Sequence, residues 1–550
     1  MALAPPPPSP SSSVAEPGRG LDFDTIVIGA GISGLYQLHR LRELGQRVRV
    51  FEAGTGVGGT WYWNRYPGCR FDSESYSYGY SFSQELLDAW DWTEHFAPQP
   101  ETERYLNHVA DRFDLRRDIQ LRSRVAAAIF DEAAIAWDIT LEDGRRYRSR
   151  YLVTAVGPLS APTLPRIPGV ADFAGEAYHT GLWPKHPVRF EGKRVAVIGT
   201  GATGVQAIQE IAKTAGHLTV FQRRPNWCTP LHNRPITREE MAAIRRDYPA
   251  IFQRCRETAA CFLHTTDPRG TFEVTPEERR AFWEQLYGTP GFAIWLGNFR
   301  DVLLDREANR LFSDFVADKI RARVKDPRVA ERLIPKDHGF GTRRVPQETR
   351  YYEVYNRPNV ELVSILETPI ERITATGLRT TERDFAFDII VFATGFDAIT
   401  GSLDRIDIRG IGGRALRERW RSGLSTFVGV MVDGFPNLFM VMGPHTALGN
   451  IPRSIEYNVE WIRDLLAHLG RGGYRYADAR PEAVEEWTAF VKKKGAGLLA
   501  NEVDSWMTGV NMNVEGKQVR IVARYSGTAP EYREWCDRVA TEGYRELVLR

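Results

Sequence analysis

Two glycine-rich turns of identical spacing, beginning 170 residues apart at Gly29 and Gly199, constrain this chain more than any other feature. The first, Gly29-Ala30-Gly31-Ile32-Ser33-Gly34, follows the apolar run Asp24-Thr25-Ile26-Val27-Ile28 and leads to Val48-Arg49-Val50-Phe51-Glu52. The second, Gly199-Thr200-Gly201-Ala202-Thr203-Gly204, follows Arg194-Val195-Ala196-Val197-Ile198 and leads to Leu218-Thr219-Val220-Phe221-Gln222-Arg223-Arg224. Each pattern predicts strand, tight turn, helix, strand. The glycines let the backbone approach a pyrophosphate, which then rests on the positive end of the helix. At the tip of the second strand the two units part. Glu52 is placed to accept hydrogen bonds from a ribose diol, whereas neutral Gln222 is followed by Arg223 and Arg224, which suit a ribose bearing a 2′-phosphate. The spacing assigns Gly29, Gly31, Gly34 and Glu52 to one dinucleotide. It assigns Gly199, Gly201, Thr203, Gly204, Arg223 and Arg224 to another. The pair reads as FAD with the NADPH that reduces it.

At 550 residues the chain has room for roughly two to four domains. Its 43% hydrophobic and 26% charged content is ordinary for a soluble enzyme. A formal net charge of +2 gives no argument for nucleic acid or an anionic membrane as partner. Cys69, Cys228, Cys255, Cys261 and Cys536 form no C-x-x-C pair and no zinc-like cluster, so disulfide exchange and a metal site lack support, and scattered thiols suit a reducing cytoplasm. Residues 1–21, with Pro5-Pro6-Pro7-Pro8, cannot bury a core and are expected to be disordered. The apolar stretch 423–443 is interrupted by Asp433, Pro436 and Asn437, which predicts two buried strands and a turn, not a membrane span.

Two further apolar strands end in glycine, 151–157 and 388–396, and read as crossings between domains. The expected fold is α/β: two interleaved Rossmann-like dinucleotide-binding domains with a helical insertion. Residues 22–157 and 389–550 would build the FAD domain, and 158–224 and 336–388 the NADP domain. Residues 225–335, with helical spacing around Pro276-Glu277-Glu278-Arg279-Arg280-Ala281-Phe282-Trp283, would form the insertion. Its aromatics (among them Phe252, Phe262, Trp283, Phe292 and Trp295) read mostly as core.

Between the glycine loops lies Phe173-Ala174-Gly175-Glu176-Ala177-Tyr178-His179-Thr180-Gly181-Leu182-Trp183-Pro184. It resembles, at every fixed position, the F-x-G-x-x-x-H-T-x-x-W-P fingerprint of class I Baeyer–Villiger monooxygenases. The stretch Gly59-Thr60-Trp61-Tyr62-Trp63-Asn64-Arg65-Tyr66-Pro67-Gly68-Cys69-Arg70-Phe71-Asp72 is similar to another motif of that family. Gly341-Thr342-Arg343-Arg344, Tyr351-Tyr352-Glu353, Ala393-Thr394-Gly395-Phe396 and Ser505-Trp506-Met507-Thr508-Gly509 match further motifs in order. The resemblance spans the chain after its N-terminal tail and is nearest the phenylacetone and steroid monooxygenase branch. It implies Arg344 as the catalytic cation and Asp72 as the carboxylate that positions it. It implies Arg343 beside the NADP 2′-phosphate, Trp506 on a loop that folds over the nicotinamide, and Thr60, Trp61 and Asp72 beside a cofactor. His179 and Trp183 would organise the domains, not carry out chemistry. Cys69 and Phe71 stand where close relatives carry Ala and Cys.

The implied reaction uses a reduced-flavin C4a-peroxide that attacks a ketone carbon, followed by migration of carbon to give an ester or lactone. Its site must stabilise negative charge on oxygen and exclude water. A permanently charged arginine suits this, because it cannot surrender its proton to the nucleophile. The alternatives are a flavin monooxygenase acting on nitrogen or sulfur and a non-oxygenating NADPH-binding flavoprotein. The partners implied are a small-molecule ketone and O2, with linear, cyclic, aromatic and steroidal ketones all open.

Overall fold

The computed structural model describes residues 20–550, so the expectation for 1–19 lies outside the described residues. The apolar run before the first glycine loop forms β1 (Phe23–Ile28), followed by α1 (Ile32–Glu43) and β2 (Val48–Phe51). The last four residues of β1 are buried, as expected of a strand covered on both faces. The chain then adds β3 (Ile119–Gln120) and an antiparallel meander, β4 (Val125–Asp131), β5 (Ala136–Leu141) and β6 (Arg146–Thr154).

A second sheet begins at β7 (Glu176–His179) and repeats the opening unit as β8 (Arg194–Ile198), α2 (Ala202–Thr214) and β9 (His217–Gln222). Helices α3 (Arg238–Glu257), α4 (Pro276–Gly288) and α5 (Arg306–Arg323) follow. Capping boxes start two of them, Thr237 with Glu240 and Thr275 with Glu278. The sheet is completed by β10 (Val360–Ser364) and β11 (Ile389–Phe392), in the order β10-β9-β8-β11-β7 with every pair parallel.

The chain then returns to the first sheet. Strand β12 (Asp407–Arg409) lies beside β4, and β13 (Leu438–Met440) lies beside β6. The resulting order is β12-β4-β5-β6-β1-β2-β3. Helix α6 (Ile451–Gly472) packs against α1, with Arg40 Nε paired to Glu460 at 2.8 Å.

Two expectations need correction. The boundary drawn between 388 and 389 falls too early, because β11 is hydrogen-bonded between β8 and β7 in the second sheet. The stretch 423–443 yields one strand, β13, not two. Residues 427–431 close into a tight turn in which Val428 has a φ of +45° and Gly429 one of +68°.

The two glycine loops are built alike. Gly29 and Gly199 have φ of +102° and +110°, and a Cβ there would lie 2.6 Å from Ala155 O and 2.4 Å from Ala393 O respectively. Ala155 follows β6 and Ala393 follows β11, so each crossing starts beside a glycine loop. The crossings then run side by side. Asp397 N donates to Ala161 O at 2.7 Å, Thr163 N to Gly395 O at 3.1 Å and Thr394 Oγ1 to Thr163 O at 2.6 Å.

The loops separate structural from open glycines. A Cβ on Gly34 would sit 1.8 Å from Gly29 O, whereas one on Gly201 meets nothing within 4 Å. Gly34→Ala should therefore prevent accumulation of folded protein or lower Tm by many degrees. Gly201→Ala should move Tm by no more than about 2 °C, since only a helix-cap preference is lost. Thermal melts of the two variants check this; equal losses would contradict the packing.

Candidate functional site

Arg344 and Asp72 are 272 residues apart in sequence and meet through a hydrogen bond from Nη2 to Oδ2 of 2.7 Å. Arg344 Nη1 donates to the carbonyl of Val345, and the guanidinium lies 4.7 Å from the ring centroid of Phe292. The side chain of Asp72 is 4% exposed and that of Arg344 is 29% exposed, so the carboxylate is sealed while the cation keeps an open side. Burial raises the Asp72 pKa and Arg344 opposes it, as does the nearby backbone N–H of Gln347 without completing a hydrogen bond to Oδ1. The pairing is a single contact rather than the bidentate fork expected of arginine, because Nη1 is already committed to Val345.

Both halves of this pair hang on α2. Gln206 Oε1 accepts from Tyr66 Oη at 2.8 Å and Gln206 Nε2 donates to Arg70 O at 3.1 Å, fixing the arm that carries Asp72. Gly68 packs so tightly on this helix that a Cβ would lie 2.6 Å from Gln206 O, at a φ of +82°. One turn on, Gln209 Oε1 accepts from Thr349 N at 2.5 Å, fixing the strap that carries Arg344. That strap has further anchors: Asn226 Nδ2 donates to Arg344 O at 3.0 Å, and Arg323 Nη1 pairs with fully buried Glu348 at 2.7 Å. Sequence reading missed Gln206, Gln209, Asn226 and the role of Phe292. Two buried glutamines three residues apart on an otherwise apolar helix face were a usable signal.

The tip of β9 carries a cation cluster. Asp337 Oδ2 is shared by Arg343 at 3.0 Å and Arg224 at 3.4 Å, and Asp337 Oδ1 pairs with His338 at 2.8 Å. Burial opposes ionisation of Asp337, but His338, Arg343 and Arg224 hold it well below the usual carboxylate range. Among the described residues Arg223 has no ion pair or hydrogen bond, and burial followed by repulsion from Arg224 and Arg343 lowers its pKa. Three arginines thus surround one carboxylate, an arrangement that suits a further anion. Gln222 turns away from this cluster and donates to Arg332 O at 2.7 Å. The open space beside Gly201 fits a dinucleotide backbone at the start of α2.

At the first loop, buried Glu52 accepts from Ala30 N at 2.8 Å and Gly54 N at 2.7 Å, which aims its carboxylate across the turn. Gly31 and Gly59 approach back to back, with a Cβ on Gly59 only 2.7 Å from Gly31 Cα. Exposed Thr60 begins the short helix Thr60–Trp63, and buried Trp61 donates through Nε1 to Tyr78 Oη at 3.2 Å. Trp506 starts a single helical turn, Trp506–Thr508, and packs half-buried on the core beside β13. Arg343 Nε reaches the same segment, donating to Asp504 O at 3.1 Å.

A flavin-binding monooxygenase-like family model matches residues 24–234. The 2-oxo-Δ3-4,5,5-trimethylcyclopentenylacetyl-CoA monooxygenase of Pseudomonas putida is 46% identical, over 96% of this chain and 98% of its own. Phenazine N-monooxygenase of Lysobacter antibioticus is 42% identical, over 96% of this chain and 97% of its own. Acetone monooxygenase (methyl acetate-forming) of Gordonia sp. (strain TY-5) is 41% identical, over 96% and 99% respectively. The crystal structure of OTEMO in complex with FAD and NADP is 45% identical with a TM-score of 0.93, over 97% of this chain and 100% of that one. The chain belongs to the Baeyer–Villiger monooxygenase family. It is an FAD-dependent NADPH ketone monooxygenase. Among the described residues, no helix is long and apolar enough to cross a membrane.

The Baeyer–Villiger fingerprint occupies a junction. Thr180 Oγ1 lies 3.1 Å from Thr203 Oγ1 of the second glycine loop. Lys185, just past the motif, bonds Thr55 Oγ1 of the first unit at 2.6 Å and lies 4.2 Å from the centroid of the Tyr62 ring. Buried His179 accepts from Gly181 N at 2.9 Å and packs edge-on against Phe396 of the second crossing. Cys69 and Phe71, expected above to depart from close relatives, are both buried. Phe71 stacks on Tyr78 at 4.2 Å, and burial pushes the Cys69 thiol up to about 12.

Burial lowers His179 from 6.5 to about 4, against opposition from backbone groups of Thr163 and Gly395. Its folded pKa lies below the unfolded value, so the linked stability is complete above about 6.5 and is lost as pH falls through about 4. The full effect is about 3 kcal/mol. His179→Gln, neutral at every pH, should therefore lose less Tm than the wild type on acidification across that window. Parallel melts down to the acid limit would show a constant gap if the histidine carries no such linkage.

Proposed function

We propose that Arg344 is the cation that stabilises negative charge on the reacting oxygens during insertion of oxygen next to a ketone carbonyl, and that Asp72 positions it. The observation that carries this reading is the asymmetric burial of the pair, with a sealed carboxylate behind and an open guanidinium edge in front. When bound, the reduced flavin would activate O2, one atom of which is inserted beside the carbonyl. Arg344 keeps its charge throughout, because guanidinium does not release a proton in the working range. Asp72 limits its movement, and Phe292 beneath the plane excludes water from one face. FAD is assigned to the loop at Gly29, Gly31 and Gly34 with Glu52 at the ribose and Thr60 and Trp61 alongside. NADPH is assigned to Gly199, Gly201, Thr203 and Gly204, with its 2′-phosphate among Arg223, Arg224 and Arg343 and Trp506 at the nicotinamide end. Free, buried cysteines support a cytoplasmic location.

Oxygenation of a nitrogen centre is proposed as an additional activity, on the 42% identity with phenazine N-monooxygenase. Product analysis on paired ketone and heteroaromatic amine substrates distinguishes the two.

Arg344→Ala should retain FAD and NADPH while ester formation falls at least about 10²–10³-fold, the scale of removing one oxyanion donor. Asp72→Ala should be milder, because the charge remains. The quantity to follow is ester formed per NADPH oxidised under air, with hydrogen peroxide counted separately. Near wild-type coupling in Arg344→Ala would move the role to another cation.

Arg223→Ala should raise KM for NADPH by about 10–100-fold and leave KM for NADH nearly unchanged, since a charge-assisted contact to phosphate is lost. An unaltered NADPH/NADH ratio would place the phosphate elsewhere.

A further inference from the structure

Segment 521–525 runs between two loops at the edge of the site. On one side Ile521 N donates to Thr508 O at 2.9 Å, in the turn begun by Trp506. On the other, His445 N donates to Ala523 O and Tyr525 N to Thr446 O, both at 3.3 Å. Asn450 closes that second loop and donates to Ser77 O at 3.2 Å and Ser77 Oγ at 3.0 Å, five residues beyond Asp72 on the same arm. Ala523 and Tyr525 are buried, one in each of two core clusters, and part-buried Arg524 lies between them in the segment that Tyr525 bridges to Ala447.

Among the described residues Arg524 makes no ion pair and no hydrogen bond. Its Nε is buried and unsatisfied, and the residue as a whole is half-buried. Burial alone lowers its pKa, with no carboxylate near enough to oppose the effect. A sheltered cation that nothing on its own chain answers is costly to keep. Arginine offers a planar fork of donors suited to carboxylate or phosphate oxygens. We propose that Arg524 recognises an anionic group on the substrate, so that the enzyme prefers ketones carrying a carboxylate or phosphate over their neutral counterparts. The inference rests on the ketone-oxygenating reading above and adds the chemical class of substrate.

The test uses the holoenzyme with a keto acid and the methyl ester of the same keto acid, across several chain lengths, with oxygenated product quantified for each. Wild type should show kcat/KM at least about 10-fold higher for the acid at one or more lengths. Arg524→Gln should lower that acid-to-ester ratio by about 10–100-fold. Arg524→Lys should keep part of it, because a point charge replaces the fork. Should Arg524→Gln fail to fold, the ratio in Arg524→Lys supplies the same comparison. No acid preference in wild type at any length, or an unchanged ratio in the variants, overturns the proposal. So does a fall in FAD content or a rise in KM for NADPH, which would assign the cation to a cofactor phosphate. If wild type converts neither compound to an oxygenated ester or lactone, the ketone reading itself fails, and that result is distinct from equal conversion of both.

Discussion

One helix face holds the chemistry together. Gln206 and Gln209 on α2 grip two arms 272 residues apart in sequence, one bearing Asp72 and the other Arg344. The amide side chain suits this task, because it donates and accepts at once without adding charge beside an ion pair. The same helix begins at the second glycine loop, so its first turn and its inward face serve different partners. Because both anchors lie on one rigid helix, the two arms keep a fixed position relative to each other.

The molecule uses arginine in two opposite electrostatic settings. Arg344 is balanced by a carboxylate that is buried more deeply than itself, so the pair is close to neutral and rigid. Around Asp337 the count is reversed: one carboxylate faces Arg224, Arg343 and Arg223, and burial, followed by repulsion among the cations, lowers the pKa of Arg223 and Arg343. The first setting fixes a direction for charge and the second stores attraction for a missing anion. Since Arg343 and Arg344 are adjacent in sequence, a single strap joins the two settings.

The glycine loops, their flanking strands and the fingerprint were legible because each depends on a local rule. Glycine at 29 and 199 is required by backbone conformation, and the apolar runs are the strands themselves. Arg344 and Asp72 were recognisable only through motif resemblance, since nothing in their local sequence reveals a contact across 272 residues. Phe292 was read among core aromatics because its partner is a cation brought in by another segment. Gln222 holds the offset that Glu52 has in the first unit, and its amide donates to the carbonyl of Arg332, a contact that local sequence does not reveal. The early boundary at 388 has the same origin: a strand next to a crossing has two sheets it could join, and only hydrogen bonding with β8 and β7 selects one.

The paired crossings make the second nucleotide-binding unit an insert whose two ends are neighbours. Pro162 and Phe396 form a bridge, and the bonds from Asp397 to Ala161 and from Thr394 to Thr163 extend it. The chain enters and leaves this unit through one two-ply connection, while the contacts of Gln206 with Tyr66 and Arg70 and of Arg344 with Asp72 tie the unit to the first at separate points. Because entry and exit are adjacent, the first sheet continues from β6 to β12 across the insertion without a long connection of its own.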